Sequence, residues 1–423
     1  MSGENSEEYL SVNRNTRITW EGCSVLLDVN DGDRLVFSRL TGGSKIKIGN
    51  KNCSLQPLIG CPFGSTFQVE DGEDGPHLSR MTSSVEGGES VDAKNDHSPM
   101  EECRDNRAIV DNNTAQSLTG EDIDDMRRKG ASGYEIVEAL ISNSATFEKK
   151  TAYSQEKYRI KKQKKYAPKV LLRRPFARSI CEAYFKKHGE RIGYLRVDTL
   201  SLLLSLANIS PNSDVLVVDM LEGLITGAVA ERLGGTGYVC NTYRGTTPYP
   251  VGIIRMFNFS DETCQRIVHC SLSELKAIST SANKFEDDRG SPQNGDVESP
   301  SAATSEESKG GGIKAGKKAP SEAINSWKEN GFSSLIVAAP KCDAWDIVKE
   351  LAPLISYSAS FVVYHQYLQP LATCMHKLQT EKMAVGLQIS EPWLREYQVL
   401  PSRSHPVMQM SSAGGYLLSG TRI

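Results

Sequence analysis

Paired cysteines, long apolar runs and a large net charge are all missing from this 423-residue chain, and each absence closes a class of function. The ten cysteines include no C-x-x-C pair. Structural zinc sites and redox dithiols depend on such close spacing, and disulfide frameworks belong to short secreted chains, so free thiols in a reducing compartment are expected. Cys264, His269 and Cys270 lie close in sequence. No two further ligands at metal spacing accompany them, so no metal is expected there. No apolar run reaches the roughly 18–20 residues of a membrane span; Leu202-Leu203-Leu204 is soon cut off by Asn208 and Pro211. The polar, acidic start lacks the basic and apolar regions of a secretory signal. Neither a membrane protein nor a secreted one is expected.

The net charge of −3 hides a strong polarisation. From Glu70 to Arg107 eleven acids face four bases, a local −7, and from Lys284 to Ser308 seven face two, a local −5. Both stretches are poor in large apolar side chains and cannot offset the entropy lost on ordering, so both are expected to be disordered. Between them, Lys149 to Arg178 carries twelve bases and one acid, Glu156, a local +11 in 30 residues.

The length predicts two to three domains, at roughly 150 residues each. Residues 12–70 read as a small β-barrel or sandwich, with short strands at 16–20, 24–29, 34–37, 44–48 and 65–69 and turns at Asn30-Asp31-Gly32-Asp33 and Gly49-Asn50-Lys51-Asn52. Residues 71–107 are the acidic insertion. Residues 108–175 form a helical, basic connector, with a helix start at Thr119 and an apolar stripe of Ile136, Val137, Leu140 and Ile141. Residues 176–423 alternate helices with continuous apolar strands such as Val215–Val218, and Asp198 is expected to cap a helix. The insertion within this part spans 284–320, and Glu396–Val399 with Gly415–Leu418 are expected to close it as a pair. That pattern means a parallel sheet covered on both faces, a Rossmann-like domain.

A cofactor-binding domain of this kind places glycines where its first strand meets its first helix, and an acid at the end of strand two. Laid on a G-x-G-x-G template ending at Gly223, this chain has Asp219 and Leu221 at the first two glycine positions. A leucine side chain fills space that bare backbone must leave to a ligand. Strand two ends Cys240-Asn241-Thr242-Tyr243, without a carboxylate, and the fourth strand ends Ala338-Ala339-Pro340, where an alanine methyl can act as no general base. His188, His365 and His405 are isolated, and no nucleophilic triad is visible. No catalytic residue, bound cofactor or metal is expected in this chain.

Residues 147–166 (FEKKTAYSQEKYRIKKQKKY), 361–367 (FVVYHQY), 393–406 (WLREYQVLPSRSHP) and 414–420 (GGYLLSG) resemble the non-catalytic subunits of the eukaryotic tRNA adenine-N1 methyltransferase. The likeness spans nearly everything outside the two acidic stretches. It implies an N-terminal β-barrel and a class I methyltransferase-like domain with a degenerate cofactor site at Asp219, Leu221, Gly223 and Ala338. It further implies a catalytic sister subunit that binds S-adenosylmethionine, an α2β2 heterotetramer, 1-methyladenosine formation in the tRNA T-loop, and a nuclear location.

The basic connector supplies a mechanism, because cations that neutralise phosphates release counterions and tyrosines among them can stack on bases or ribose. The expected RNA-binding residues are Lys150, Lys157, Tyr158, Arg159, Lys161, Lys162, Lys164, Lys165, Tyr166 and Arg174, with Arg191, Arg196, Arg395 and Arg403 extending the surface. Arg159–Lys165 alone also reads as a nuclear import signal or a solvated helix face, and internal salt bridges stay open for Arg395 and Arg403. Two other functions remain: an autonomous methyltransferase with an atypical cofactor loop, and an RNA-binding translation-initiation-type factor without a methyltransferase partner.

Overall fold

The computed structural model describes residues 17–72, 75–81, 116–279, 315–400 and 403–423. The chain divides into two compact units, Met1–Pro175 with Arg395–Met410, and Phe176–Leu394 with Ser411–Ile423.

In the first unit β1 (Ser24–Val29) and β2 (Arg34–Arg39) pair antiparallel. So do β3 (Lys45–Ile48) and β4 (Lys51–Ser54), and β5 (Thr66–Gly72) and β6 (Gly75–Arg80). Three helices follow, α1 (Gly120–Arg128), α2 (Gly133–Ser142) and α3 (Ala152–Tyr166), and then β7 (Lys169–Arg173). The larger sheet runs β2-β1-β7-β5-β6, so the last strand in sequence lies at its centre. β7 holds that place because Val170 and Leu172 point inward and are fully buried, with Leu27, Leu40, Leu58 and Phe67 in the same core. Residues 169–173, expected in the helical connector, therefore belong to the β-sheet. Among the described residues the pairing runs from β2 to β6 without closing a ring.

Other local expectations shift as well. Of the strand expected at 16–20, the described residues contribute an isolated bridge, Ile18 with Pro62, while the Thr19 hydroxyl donates to the Leu58 carbonyl at 2.5 Å. The expected turn at 49–52 shortens to Gly49-Asn50, releasing Lys51 into β4. β6 falls inside the expected acidic insertion; residues 73–74 and 82–107 of that insertion lie outside the described ones. Capping boxes start α1 and α2, Thr119 with Asp122 and Ser132 with Glu135, which satisfy backbone donors that a helix cannot satisfy itself.

The second unit begins with α4 (Ala177–His188), α5 (Val197–Leu206), β8 (Val215–Asp219), α6 (Leu224–Leu233) and β9 (Val239–Tyr243). It continues with α7 (Asp261–Gln265), β10 (Ile267–Ser271), α8 (Leu272–Ser279), β11 (Lys317–Lys318), α9 (Ser321–Asn330) and β12 (Phe332–Ala338). Next come α10 (Ala344–Leu351), β13 (Ile355–His365), α11 (Leu368–Thr380) and β14 (Ala384–Ser390). The chain then forms β15 (Tyr397–Leu400) and β16 (Arg403–Pro406), which the first unit includes, before ending in β17 (Tyr416–Arg422).

The sheet order is β11-β10-β9-β8-β12-β13-β17-β14. β11 to β13 are parallel, and β17 inserts antiparallel between β13 and β14. This is the Rossmann-like architecture that the alternating pattern predicts. All five residues of β8 are buried, as a central parallel strand covered on both faces requires. The expected pairing of 396–399 with 415–418 does not occur: β15 pairs with β16, and β17 pairs with β13 and β14. Of the expected insertion at 284–320, residues 284–314 lie outside the described ones, and Lys317–Lys318 add β11 to the sheet edge. Strand order reverses between β8 and β12, so the crevice that such folds use for ligands lies beyond Asp219 and its register partner Ala338.

Candidate functional site

Asp219 ends β8 with no exposed surface. Its Oδ1 accepts the Leu221 amide at 2.8 Å, and Oδ2 accepts both the amide and the hydroxyl of Thr226 at 2.8 Å. Gly223 is the N-cap of α6, so Thr226 lies in the first turn, where the unpaired amides favour an anion. The anion seat of this helix is thus taken by the chain's own carboxylate. Burial pushes the Asp219 carboxyl above its ordinary value, against the hydrogen bonds from Thr226, Leu221 and Gly223 that stabilise its charge.

The turn from β8 to α6 is tight. Glu222 and Gly223 both take the left-handed conformation, with φ of 56° and 88°. Only glycine fits at 223, because a Cβ there would stand 2.8 Å from the Val251 Cα. Glu222 bears the strain of a non-glycine residue in that region, and Arg191 grips it with two bonds of 2.7 and 2.5 Å. Leu221 is 1% exposed. It lies against Gly193, where an added Cβ would meet the Leu221 Cδ2 at 2.9 Å, and the Tyr364 hydroxyl donates to the Gly193 carbonyl at 2.7 Å.

The remaining wall offers no chemistry. Ala338 and Ala339 are buried, and the Met220 amide donates to the Ala338 carbonyl at 3.0 Å. Burial holds the His365 imidazole below its ordinary value, and its Nδ1 accepts the Tyr367 amide at 2.9 Å. At the end of β9 stands Tyr243, beside a pocket of about 320 Å³ that His269, Ser271, Glu274 and Lys318 also line. Glu274 Oε1 is bound by Lys318 at 2.5 Å, which holds the carboxyl below the usual range, and its Oε2 accepts from the amide and hydroxyl of Ser271 at 3.4 and 3.3 Å, so both oxygens are already engaged. S-adenosylmethionine does not fit these residues. Its backbone cradle carries Leu221, its helix donors serve Asp219, and no free acid ends β9.

The basic surface lies on α3, none of whose side chains is fully buried. Lys157, Arg159, Lys161 and Lys165 are exposed, and Lys157, Lys161 and Lys165 form one stripe four residues apart. Lys150 and Lys162 are half-buried, with Nζ atoms 4.8 and 5.1 Å from the centre of the Tyr158 ring. The Tyr166 ring carries Lys165 at 5.0 Å and Arg127 at 5.8 Å. Arg159 reaches Glu156 at 3.5 Å. Lys164 is tied to Asp33 at 2.7 Å, which makes it an anchor of α3 to the β1–β2 turn.

The expected outlying cations divide differently. Arg174 and Arg395 are exposed, and Arg403 is described by its backbone alone. Arg191 belongs to the Glu222 clamp. Arg196 is 5% exposed, grips Asp198 with two bonds, and donates to the carbonyls of Pro392, Ser411 and Ser412. Burial and five internal bonds withdraw Arg196 from any RNA surface. They also explain why Asp198, expected as a cap, makes no capping bond while Arg196 holds the N-cap position. Arg127, beside the Tyr166 ring, lies outside the expected set and is paired with Asp124 at 3.1 Å.

A model of the Gcd10p family matches residues 19–308. A Dictyostelium discoideum protein is 35% identical over 97% of this chain and 81% of its own length. A Mus musculus protein is 30% identical over 93% and 88%. Both are named tRNA (adenine(58)-N(1))-methyltransferase non-catalytic subunit. Among solved structures, a Thermotoga maritima SAM-dependent O-methyltransferase covers 97% of each chain at 11% identity and a TM-score of 0.48. The tRNA (m1A58) methyltransferase of Aquifex aeolicus covers 96% of this chain and 99% of its own, at 11% identity and a TM-score of 0.44.

Proposed function

This chain belongs to the Gcd10p family, and we propose that it is the non-catalytic, tRNA-binding subunit of a tRNA (adenine(58)-N(1))-methyltransferase. What supports the reading is the β8–α6 turn: Asp219 and Leu221 are buried there, Asp219 takes the amides of Leu221 and Thr226, and Ala338 offers no group to take a proton. Catalysis then belongs to a partner subunit, which binds S-adenosylmethionine. The arrangement we propose is an α2β2 heterotetramer in the nucleus, forming 1-methyladenosine in the T-loop. In it this chain contributes a scaffold and the cationic face of α3, including Lys157, Arg159, Lys161 and Lys165. A surface of this kind binds backbone phosphates with little regard to sequence, which suits a subunit that holds tRNA while its partner reads the target base.

The test is purification of the chain with and without its partner, followed by methyl transfer to unmodified tRNA. The expected result is activity only in the complex, with no S-adenosylmethionine binding by this chain in calorimetry. Methyl transfer by the isolated chain, or stable association with ribosomal or messenger RNA and no methyltransferase partner in a native pull-down, would overturn it.

A further inference from the structure

The sequence gives Tyr158 and Tyr166 the look of base-stacking platforms, but each ring in the structure already carries two cations. Lys150 and Lys162 sit 4.8 and 5.1 Å from the Tyr158 centroid, and Phe147 packs on the same ring at 5.7 Å between centroids. Lys165 and Arg127 sit 5.0 and 5.8 Å from the Tyr166 centroid. Each tyrosine thus already serves as a ring for cations.

What the rings do instead follows from their quadrupoles. The negative face of each draws in two like charges that would otherwise repel, and it limits the freedom of long, flexible stems. Glu156, the one acid of α3, is engaged with Arg159. Asp124 likewise engages Arg127 at 3.1 Å, so Lys150 and Lys162 at Tyr158 are the pair whose mutual repulsion an external anion would relieve.

We infer that Tyr158 is a positioning residue that holds Lys150 and Lys162 as a phosphate clamp on the tRNA backbone, and that its ring does not stack on a base. The inference rests on the tRNA-binding reading of α3.

The experiment measures binding of an unmodified tRNA transcript to the partner-assembled complex over a range of salt, for Y158F, Y158L, K150A/K162A and the triple variant. A clamp predicts that Y158F binds as the wild type does, since phenylalanine keeps the π face. It predicts that Y158L loses about two- to fivefold in affinity at low salt, the scale of an exposed cation–π contact. K150A/K162A lowers the slope of log affinity against log salt by about 0.9 in magnitude, for the one duplex phosphate that the pair holds. In that background Y158L adds no further loss. A stacking ring behaves otherwise: Y158L costs more than tenfold, the loss persists at high salt, and it survives in the K150A/K162A background. That result overturns the clamp while leaving α3 an RNA surface. Unchanged affinity and salt slope in K150A/K162A overturn the clamp as well and place the RNA surface elsewhere, whereas tRNA methylation by the complex tests the broader reading separately.

Discussion

Asp219→Asn is the sharpest perturbation of the closed crevice, because it keeps the shape of the side chain and removes one acceptor. Wild-type Oδ1 serves the Leu221 amide and Oδ2 serves two donors of Thr226. An asparagine can satisfy one side, and its NH2 group must then face donors on the other. Leaving a buried donor unsatisfied costs about 1–3 kcal/mol. Two such losses, partly offset because a neutral amide avoids the cost of burying charge, give about 2–4 kcal/mol. At 1.4 kcal/mol per factor of ten, opening of this turn becomes about 30- to 700-fold more frequent if the cost falls on the local equilibrium. Native-state amide exchange at Leu221 and Thr226 reads it directly. The pH dependence has a definite sign. The folded Asp219 pKa lies above its ordinary 3.8, so the folded state binds more protons in the window above 3.8. Its contribution is fully present below that value and is lost as pH rises through the folded pKa; in D219N this dependence disappears. Undiminished protection of both amides in D219N, with an unchanged acid limb, would refute the argument that the carboxylate holds the turn together.

The other predictions concern packing and charge. L221A removes a buried side chain and should cost about 2–5 kcal/mol in urea unfolding, with no S-adenosylmethionine heat in calorimetry, since Asp219 still fills the helix terminus. R196A strands Asp198 and three carbonyls and should destabilise the fold by about 3–5 kcal/mol; reduced tRNA affinity at full stability would restore Arg196 to the RNA surface. K157E/K161E/K165E should weaken tRNA binding and reduce the salt slope by up to about 2.7 while leaving partner assembly intact in gel filtration. Collapse of assembly with unchanged affinity would make the stripe an interface instead.

Where structure follows from local pattern, the sequence is a good guide. β8 is legible because Val215–Val218 is an unbroken apolar run, and α1 because Thr119 and Asp122 stand three apart at its start. The departure from a cofactor turn is legible because a template demands glycine where Asp219 and Leu221 stand. β7 escaped notice for the opposite reason. Its inward Val170 and Leu172 alternate within a segment whose charge count draws attention to solvent, and only pairing with β1 and β5 shows the strand. β17 was read with the wrong partner because strand pairing is a long-range choice that two short apolar runs cannot specify. The fate of the arginines was hidden too. Arg191 and Arg196 look like spare cations until Glu222, thirty-one residues from Arg191, and the carbonyls near residue 411 are brought to them by the fold.

A helix terminus whose anion is built into its own chain never waits for a dissolved one. The Asp219 carboxylate is tethered two residues from the Leu221 amide that it binds, at an effective concentration that no dissolved metabolite can match. The stability of this domain should therefore be indifferent to the supply of methyl donor, unlike that of a binding-competent relative, whose folded state gains with every increase in free ligand. Starvation for the donor would then deplete turnover without loosening the scaffold on which turnover resumes.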